Sequence, residues 1–395
     1  MILFVSIVSF ISFCIWFYLI FFRGFFWLCN QKIKTTSDIK LPQNPKIAVI
    51  IPARNEQDVI GSSITSLLQQ DYENAFPVIL VDDDSQDQTV RKAQEAAVSI
   101  GQQKRLIVLH NKSLPVNWTG KLWALSQGID YVQQHYEVDY MLLTDADIVH
   151  HSTNLKELVI KAAQNNLGLT SLMVKLPCLS WIEKITIPAF IFFFQKLYPF
   201  AHVNNSKKNI AAAAGGCVLI KQEALIKIGG LGSIASCLID DCALAGKVKK
   251  HFKIWLGLSD RTCAIRPYDG LSGVWSMVAR TAFTQLNYSY FLLLMTSLGM
   301  ILTYMIPVFS LILGVVGHNK FLIILNILTL IMMLGSYLPT LKLYKINLLT
   351  TLTLPFAAFL YMLMTLDSAR RHYQGKGGVW KNRIKGGVQS SSNIL

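Results

Sequence analysis

Four stretches of this chain carry no charged side chain: Ile2 to Phe22, Tyr290 to Gly317, Phe321 to Leu341 and Ile346 to Leu366. Each is at least as long as the roughly 20 residues a helix needs to cross the hydrocarbon core of a bilayer. Four such runs do not fit the core helices of a water-soluble fold, and 52% hydrophobic content in 395 residues agrees. The length allows about two ordinary domains, or one domain plus membrane segments, and the chain reads as an integral membrane protein of the second kind.

The first run is about twice as long as the apolar region of a signal peptide, which is roughly 7–15 residues. No basic residue precedes it, and Phe25-Phe-Trp-Leu28 follows it. It reads as a retained anchor over residues 1–28, with a juxtamembrane linker over 29–45. Arg23, Lys32, Lys34 and Lys40 follow the anchor, so its C-terminal end should face the cytoplasm. Residues 46–288 then form a cytoplasmic domain, 289–366 about three transmembrane segments, and 367–395 a basic tail. The expected location is a bacterial-type inner membrane.

Seven cysteines without a CxxC spacing are neither a disulfide framework nor a zinc site. The glycosylation sequons at Asn117, Asn204 and Asn287 accordingly read as chance matches. The net charge of +14 does not point to nucleic acid. Five of those net charges follow Leu366, in Arg370, Arg371, Lys376, Lys381, Arg383 and Lys385 less Asp367. Beside a membrane segment, attraction to anionic headgroups is the simpler account.

Between Lys46 and Thr144 short apolar runs alternate with helical stretches. Ile47–Ile51 precedes a helical stretch through Leu68, Val78–Val81 precedes one around Val90 to Val98, and Leu106–Leu109 precedes Leu122 to Tyr131. Tyr140–Leu143 is the fourth run. This alternation predicts an α/β fold, a mainly parallel sheet with helices on both faces. Run one ends in Pro52-Ala-Arg-Asn-Glu56, run two in Asp82-Asp-Asp-Ser85 and run four in Asp145-Ala-Asp147. Open parallel sheets bind ligands at the carboxyl ends of their strands. Carboxylates gathered there call for a positive partner.

A divalent cation, Mg²⁺ or Mn²⁺, fits that need. Residues i and i+2 of an extended segment share a face, so Asp145 and Asp147 can address one metal together with substrate phosphates. An acidic turn is the plainer reading of Asp-x-Asp, and Asp82 and Asp84 repeat the pattern. The position of both clusters at the ends of apolar runs favours a ligand site. No GxxxxGK[ST] is present, and Gly230-Leu-Gly-Ser-Ile-Ala235 follows a helical stretch instead of a strand, which argues against P-loop and dinucleotide-binding enzymes.

The motifs VIIPARNE (Val49–Glu56), VDDDSQDQT (Val81–Thr89), GKLWAL (Gly120–Leu125), LLTDAD (Leu142–Asp147), GGCVLIKQEALIKIGG (Gly215–Gly230) and IDDCAL (Ile239–Leu244) resemble, in order and spacing, those of family 2 inverting glycosyltransferases. More narrowly, RGFFW after the anchor, NWTGKLWAL, SMVARTAFTQLNYS (Ser276–Ser289) and GGVWKNR near the end resemble the hopene-associated glycosyltransferases. The resemblance implies a GT-A-type fold and single-displacement transfer from a nucleotide-diphospho-sugar, a UDP-sugar first among them, to a lipid acceptor such as a hopanoid. By position it implies nucleotide contacts from Pro52, Glu56, Asp82 and Asp83, and metal and diphosphate contacts from Asp145 and Asp147. The general base falls on the pair Asp240-Asp241, with Asp241 favoured. The family often has Glu where Asp240 stands. Arg280 sits where processive relatives carry Q/RxxRW, but Met277-Val-Ala-Arg-Thr281 lacks the rest of that motif, which argues for a non-processive enzyme.

The chemistry is consistent with these assignments. Departure of a nucleoside diphosphate builds negative charge that a metal and a Lys or Arg stabilise, and Lys121 is placed for this unless it is an exposed residue at a helix start. An attacking alcohol needs a base, which a carboxylate supplies. Asp240 could instead cap the helix that begins at Cys242. Trp118 and Trp123 either stack on a ligand or pack in the interior.

Trp181 to Phe200 is aromatic but has only 11 uncharged residues in a row, Ile185 to Gln195. It reads as a segment lying on the membrane, with an ordinary core helix as the alternative. Three C-terminal spans after a cytoplasmic domain place the basic tail outside, against the positive-inside tendency. Either one run is re-entrant or the tail departs from the tendency. Two other functions fit parts of the pattern: transfer to a ceramide-like lipid or polyprenyl phosphate, and a non-catalytic membrane protein with a nucleotide-binding domain. Transporters place polar groups in their spans, whereas these hold only scattered Asn, Ser and Thr.

Overall fold

The runs that end in acid form strands lying side by side. In the computed structural model, described for residues 2–33 and 44–375, the chain begins with α1 (Ile2–Phe21). It continues through β1 (Ile47–Ala53), α2 (Ile60–Leu68), β2 (Val78–Asp82), α3 (Thr89–Ser99), β3 (Leu106–His110), α4 (Gly120–His135) and β4 (Tyr140–Thr144). Next come β5 (Ile148–Val149), α5 (Asn154–Asn165), β6 (Leu167–Lys175), α6 (Trp181–Leu197), α7 (Phe200–Val203), β7 (Cys217–Lys221), α8 (Gln222–Lys227), α9 (Asp240–Lys249) and β8 (Lys253–Ala264). Helices α10 (Gly270–Gln285), α11 (Tyr290–Met300), α12 (Ile306–Val316), α13 (Lys320–Tyr344) and α14 (Leu354–Tyr373) close the order. Lys34, Lys40 and the basic residues from Lys376 onward, with the GGVWKNR motif, lie outside the described residues.

The chain divides into two units. One holds residues 31–33, 44–177 and 202–266 and contains the whole sheet. Its eight strands run in the order β3-β2-β1-β4-β7-β6-β8-β5. Four of the seven pairings are parallel and three, those of β7 with β4 and β6 and of β5 with β8, are antiparallel. The expected α/β sheet is thus present in mixed form. In register, Ala53 faces Asp82 and Asp82 faces His110, so the ends of β1, β2 and β3 share one edge. The first two strands are buried on both faces, as the uninterrupted Val, Ile and Leu of a sandwiched sheet require. Asn166, in the left-handed region at the end of α5, turns the chain into β6.

The other unit holds residues 2–30, 178–201 and 267–375. Four helical stretches in it are long and apolar enough to cross a membrane: Ile2–Phe21, Tyr290–Val316, Lys320–Tyr344 and Leu348–Tyr373. The second runs through a π-helical turn at Ile301–Met305, just before Pro307, where the missing N–H interrupts the regular ladder. Phe4, Phe10, Phe309, Ile324 and Ile331 point outward, the pattern of helices solvated by lipid. Inside, Trp16, Tyr304 and Tyr337 are fully buried, and Trp16 Nε1 donates to the Thr303 carbonyl at 2.7 Å. Helix α6 belongs to this unit. A capping box of Ser180 and Glu183 starts it, and Phe192 packs edge-on against Tyr337.

Candidate active site

Strand β4 stops at Thr144 because the chain turns there. Asp145, Ala146 and Asp147 form a tight turn closed by Ile148 N–H donating to the Asp145 carbonyl at 3.3 Å. The extended geometry argued from the i, i+2 spacing is therefore not the one adopted. The turn is fixed from beneath. Thr144 Oγ1 donates to the Gly216 carbonyl at 2.8 Å and takes up His150 Nε2 at 2.9 Å, while Asn154 Nδ2 reaches His150 Nδ1 at 3.0 Å. That network makes His150 a neutral Nε2–H tautomer, and burial pushes its pKa down to about 3.

Each carboxylate of the turn faces a cation. Lys121 Nζ lies 2.7 Å from Asp145 Oδ1 and 3.9 Å from Asp240 Oδ2. Arg266 Nε lies 3.6 Å from Asp147 Oδ2, and the same guanidinium forms an ion pair with Glu56. Lys121 owes its position to Thr119, whose Oγ1 caps α4 by accepting from Leu122 N–H. Burial works against the Lys121 ammonium, but Asp145, Asp240 and Asp241 outweigh it and hold its pKa above the usual lysine range.

Asp241 completes the cluster. Its Oδ2 accepts from Gly215 N–H at 2.9 Å and its Oδ1 from Cys242 N–H at 2.7 Å. Burial first, and the Asp240 carboxylate second, push its pKa up to about 6 against the pull of Lys121 and the two N–H groups. Gly215 allows this approach: a Cβ there would lie 3.2 Å from Lys121 Nζ and 3.5 Å from Asp241 Oδ2. The capping role considered for Asp240 is not the one found. Ile239 occupies the N-cap of α9 and no side chain caps it. Asp240 and Asp241 fall in the first turn, where the helix dipole favours negative charge.

A second acidic group sits at the end of β2. Asp83 is fully buried and Asp82 nearly so. Asn111 Nδ2 donates to Asp83 Oδ1, and Arg54 reaches the Asp83 carbonyl and lies 3.8 Å from its carboxylate. Asp82 Oδ2 lies 3.7 Å from His110, whereas its buried Oδ1 finds no hydrogen-bond partner among the described residues. An orphaned acceptor here fits a ligand hydroxyl or N–H. Pro52 is buried within β1 opposite Val81 and offers only its backbone carbonyl. Trp118 and Trp123 pack edge-on against each other, 5.1 Å apart.

Arg280 is exposed on α10 of the membrane unit and is not among these residues. Arg266, Arg54, Asn111 and the Thr144–His150–Asn154 network were not singled out from sequence. Arg266 lies two residues beyond the end of β8, whose Ser259-Asp-Arg-Thr262 hides a strand behind polar residues.

Among the described residues no group of three or more His, Cys, Asp or Glu side chains is placed to hold a metal ion unaided. A cation at Asp145 and Asp147 would complete its shell with ligand phosphates and water. That all-oxygen arrangement suits Mg²⁺ or Mn²⁺.

Comparison with known proteins relates part of the chain to a family. Residues 48–229 match the profile of Glycosyl transferase family 2. This segment carries the family 2 glycosyltransferase signature, and it spans both acidic strand ends. A 131-residue stretch is 31% identical to 4,4'-diaponeurosporenoate glycosyltransferase of Staphylococcus haemolyticus (strain JCSC1435), covering 32% of this chain and 31% of that protein. The chain thus matches under a third of the length of this curated relative. The mannosyltransferase PcManGT from Pyrobaculum calidifontis, solved with GDP-Man and Mn²⁺, superposes with a TM-score of 0.55 over 94% of this chain and 99% of that one at 16% identity. At that identity the likeness shows the fold, a GT-A-like mixed sheet with helices.

Proposed function

We propose that this chain is a membrane-bound, non-processive glycosyltransferase that moves a sugar from a nucleotide-diphospho-sugar to the hydroxyl of a membrane lipid by single displacement with inversion. The observation that carries the reading is the contact set of Lys121, which places one ammonium between the Asp145 turn and the pair Asp240-Asp241. Asp82, Asp83, Pro52 and Glu56 hold the nucleoside, and Lys121 and Arg266 stabilise charge on the departing diphosphate. A divalent cation at Asp145 and Asp147 supplies Lewis acidity to that leaving group when bound. Asp241 takes the proton of the acceptor hydroxyl as the hydroxyl oxygen attacks the anomeric carbon, and Asp240 keeps its carboxylate basic. A group with a pKa near 6 is well matched to this work at neutral pH.

The lipid acceptor is supported by the membrane segments and by the name of the curated relative, and a hopanoid-type polycyclic alcohol by the motifs around Arg23, Asn117 and Ser276. UDP-sugars are the first donors to try, with GDP-mannose beside them because of the PcManGT complex. The catalytic domain lies within residues 46–288 on the cytoplasmic face of an inner membrane. The test is transfer from labelled UDP-sugars and GDP-mannose to a panel of hopanoid, ceramide and polyprenyl phosphate acceptors by full-length protein in nanodiscs. A glycolipid of inverted anomeric configuration, absent with Asp241→Asn, is the expected product. Retention of configuration, or no transfer from any donor that binds, would overturn the proposal.

A further inference from the structure

We infer that the last apolar run, Leu348–Tyr373, does not cross the membrane but dips into it and returns to the face it came from, so that the chain crosses three times. The reference frame is the hairpin formed by Tyr290–Val316 and Lys320–Tyr344. Only Gly317, His318 and Asn319 join the two helices, and Asn319 Oδ1 caps α13 by accepting from Leu322 N–H at 3.1 Å. They meet so closely at this turn that a Cβ on Gly314 would lie 3.0 Å from Leu322 Cβ. Antiparallel helices so joined put residues 290 and 344 at one end and the 317–319 turn at the other. The 27-residue first arm alone is about 40 Å long.

Helix α1 runs beside this hairpin in the direction of α13. Ser9 Oγ meets Asn326 Nδ2 at 3.4 Å, and Cys29 Sγ beyond the helix meets Thr340 Oγ1 at 3.4 Å. Arg23 therefore lies toward the 290/344 end.

A third full crossing from Tyr344 would bring residue 373 to the 317–319 turn. The contacts place it at the opposite end. Thr351 Oγ1 donates to the Leu334 carbonyl at 2.8 Å, so the chain after α13 folds back along that helix by about three turns. Helix α14 then climbs out. Trp275 Nε1 donates to Asp367 at 2.8 Å, Phe283 N–H donates to Ser368 Oγ at 2.9 Å, and Ala369 joins an apolar cluster with Phe283, Leu286 and Leu293. The His372 ring stacks on Tyr288 with centroids 4.4 Å apart. These partners flank the start of α11.

The charges agree with this arrangement and not with four crossings. Arg23, Lys342, Lys345, Arg370 and Arg371 gather at one end of the unit, and Lys320 stands at the other. The positive-inside tendency is then met by these five basic residues against one, and the cationic end faces the anionic headgroups of a single leaflet.

Sealed membrane vesicles of known orientation, holding the full chain, test the arrangement with an impermeant maleimide–polyethylene glycol. Tyr290→Cys, Lys320→Cys and Gln374→Cys are exposed positions, each read as one added mass shift over the seven native cysteines. Gln374→Cys should label from the same side as Tyr290→Cys, with Lys320→Cys labelling from the other. Labelling of Gln374→Cys from the Lys320 side would overturn the inference. A protease-cleavable epitope after Leu395 of the otherwise native chain gives a second readout. Its removal from the Tyr290 side supports three crossings, and removal from the Lys320 side contradicts them. Neither result depends on which sugar or lipid the enzyme uses.

Discussion

Lys121 Nζ lies 2.7 Å from Asp145 Oδ1 and 3.9 Å from Asp240 Oδ2, so a single ammonium serves both the Asp145 turn and the acidic start of α9. Removing it leaves three neighbouring carboxylates without their shared counter-charge. Lys121→Ala should lower the turnover number by about 10²-fold, the usual effect of deleting one preorganised donor to a developing anion. The same variant should bind Mn²⁺ more tightly in the absence of nucleotide, because no resident cation then competes at Asp145. Steady-state kinetics and metal titration check the two halves separately.

The Asp241 carboxylate is raised to about 6 by burial and by Asp240. As a base it works only when ionised, so turnover should rise with pH through about 6 and level off above. Its native pKa lies above its unfolded value near 3.8, so the native state binds the proton more tightly and loses stability as pH rises from about 4 to 6. Asp241→Asn should therefore abolish turnover, leave nucleotide binding intact and raise the melting temperature at pH 7.5. A variant that loses binding together with turnover would contradict the base assignment.

Gly215→Ala places a methyl group 3.2 Å from Lys121 Nζ and 3.5 Å from Asp241 Oδ2. Small displacements of reacting groups are costly. Turnover should fall at least ~10-fold, with little change in melting temperature, since Lys121 is the flexible end of its side chain.

His150 is held neutral at about 3, below its ordinary 6.5. The unfolded chain takes up the proton first, so the native state keeps full stability above about 6.5 and loses it as pH falls from there toward 3. His150→Phe should flatten that part of the melting profile while loosening the Thr144 turn. Thermal melts between pH 7 and 4 give the comparison.

Much of this was legible from the sequence because buried parallel strands are nearly uninterrupted apolar runs and their carboxyl ends are where charge appears. Asp82, Asp83, Asp145 and Asp147 stand out for that reason. The four apolar stretches were legible from length alone. Strands β6 and β8 were not: Leu167–Lys175 and Lys253–Ala264 mix polar and apolar residues without clean alternation, and Arg266 was hidden with them. The place of Asp145 and Asp147 at the end of β4 was expected, but not the shape of the segment, because an Asp-x-Asp spacing does not say whether the chain stays extended or turns. Gly215 and the tautomer of His150 depend on contacts between residues far apart in the chain, which no local pattern carries. The fate of the last apolar run likewise depends on Ser368 meeting Phe283, a pairing invisible to hydropathy.

The central claim is a cation-assisted donor site at Asp145 and Asp147, and calorimetry tests it most directly. UDP and GDP are titrated into the full-length protein with and without Mn²⁺ or Mg²⁺, beside the Asp145→Ala/Asp147→Ala variant. The account predicts nucleotide binding that requires the cation and disappears in the double variant. Binding of equal strength with and without the cation, unchanged by the double substitution, would contradict it.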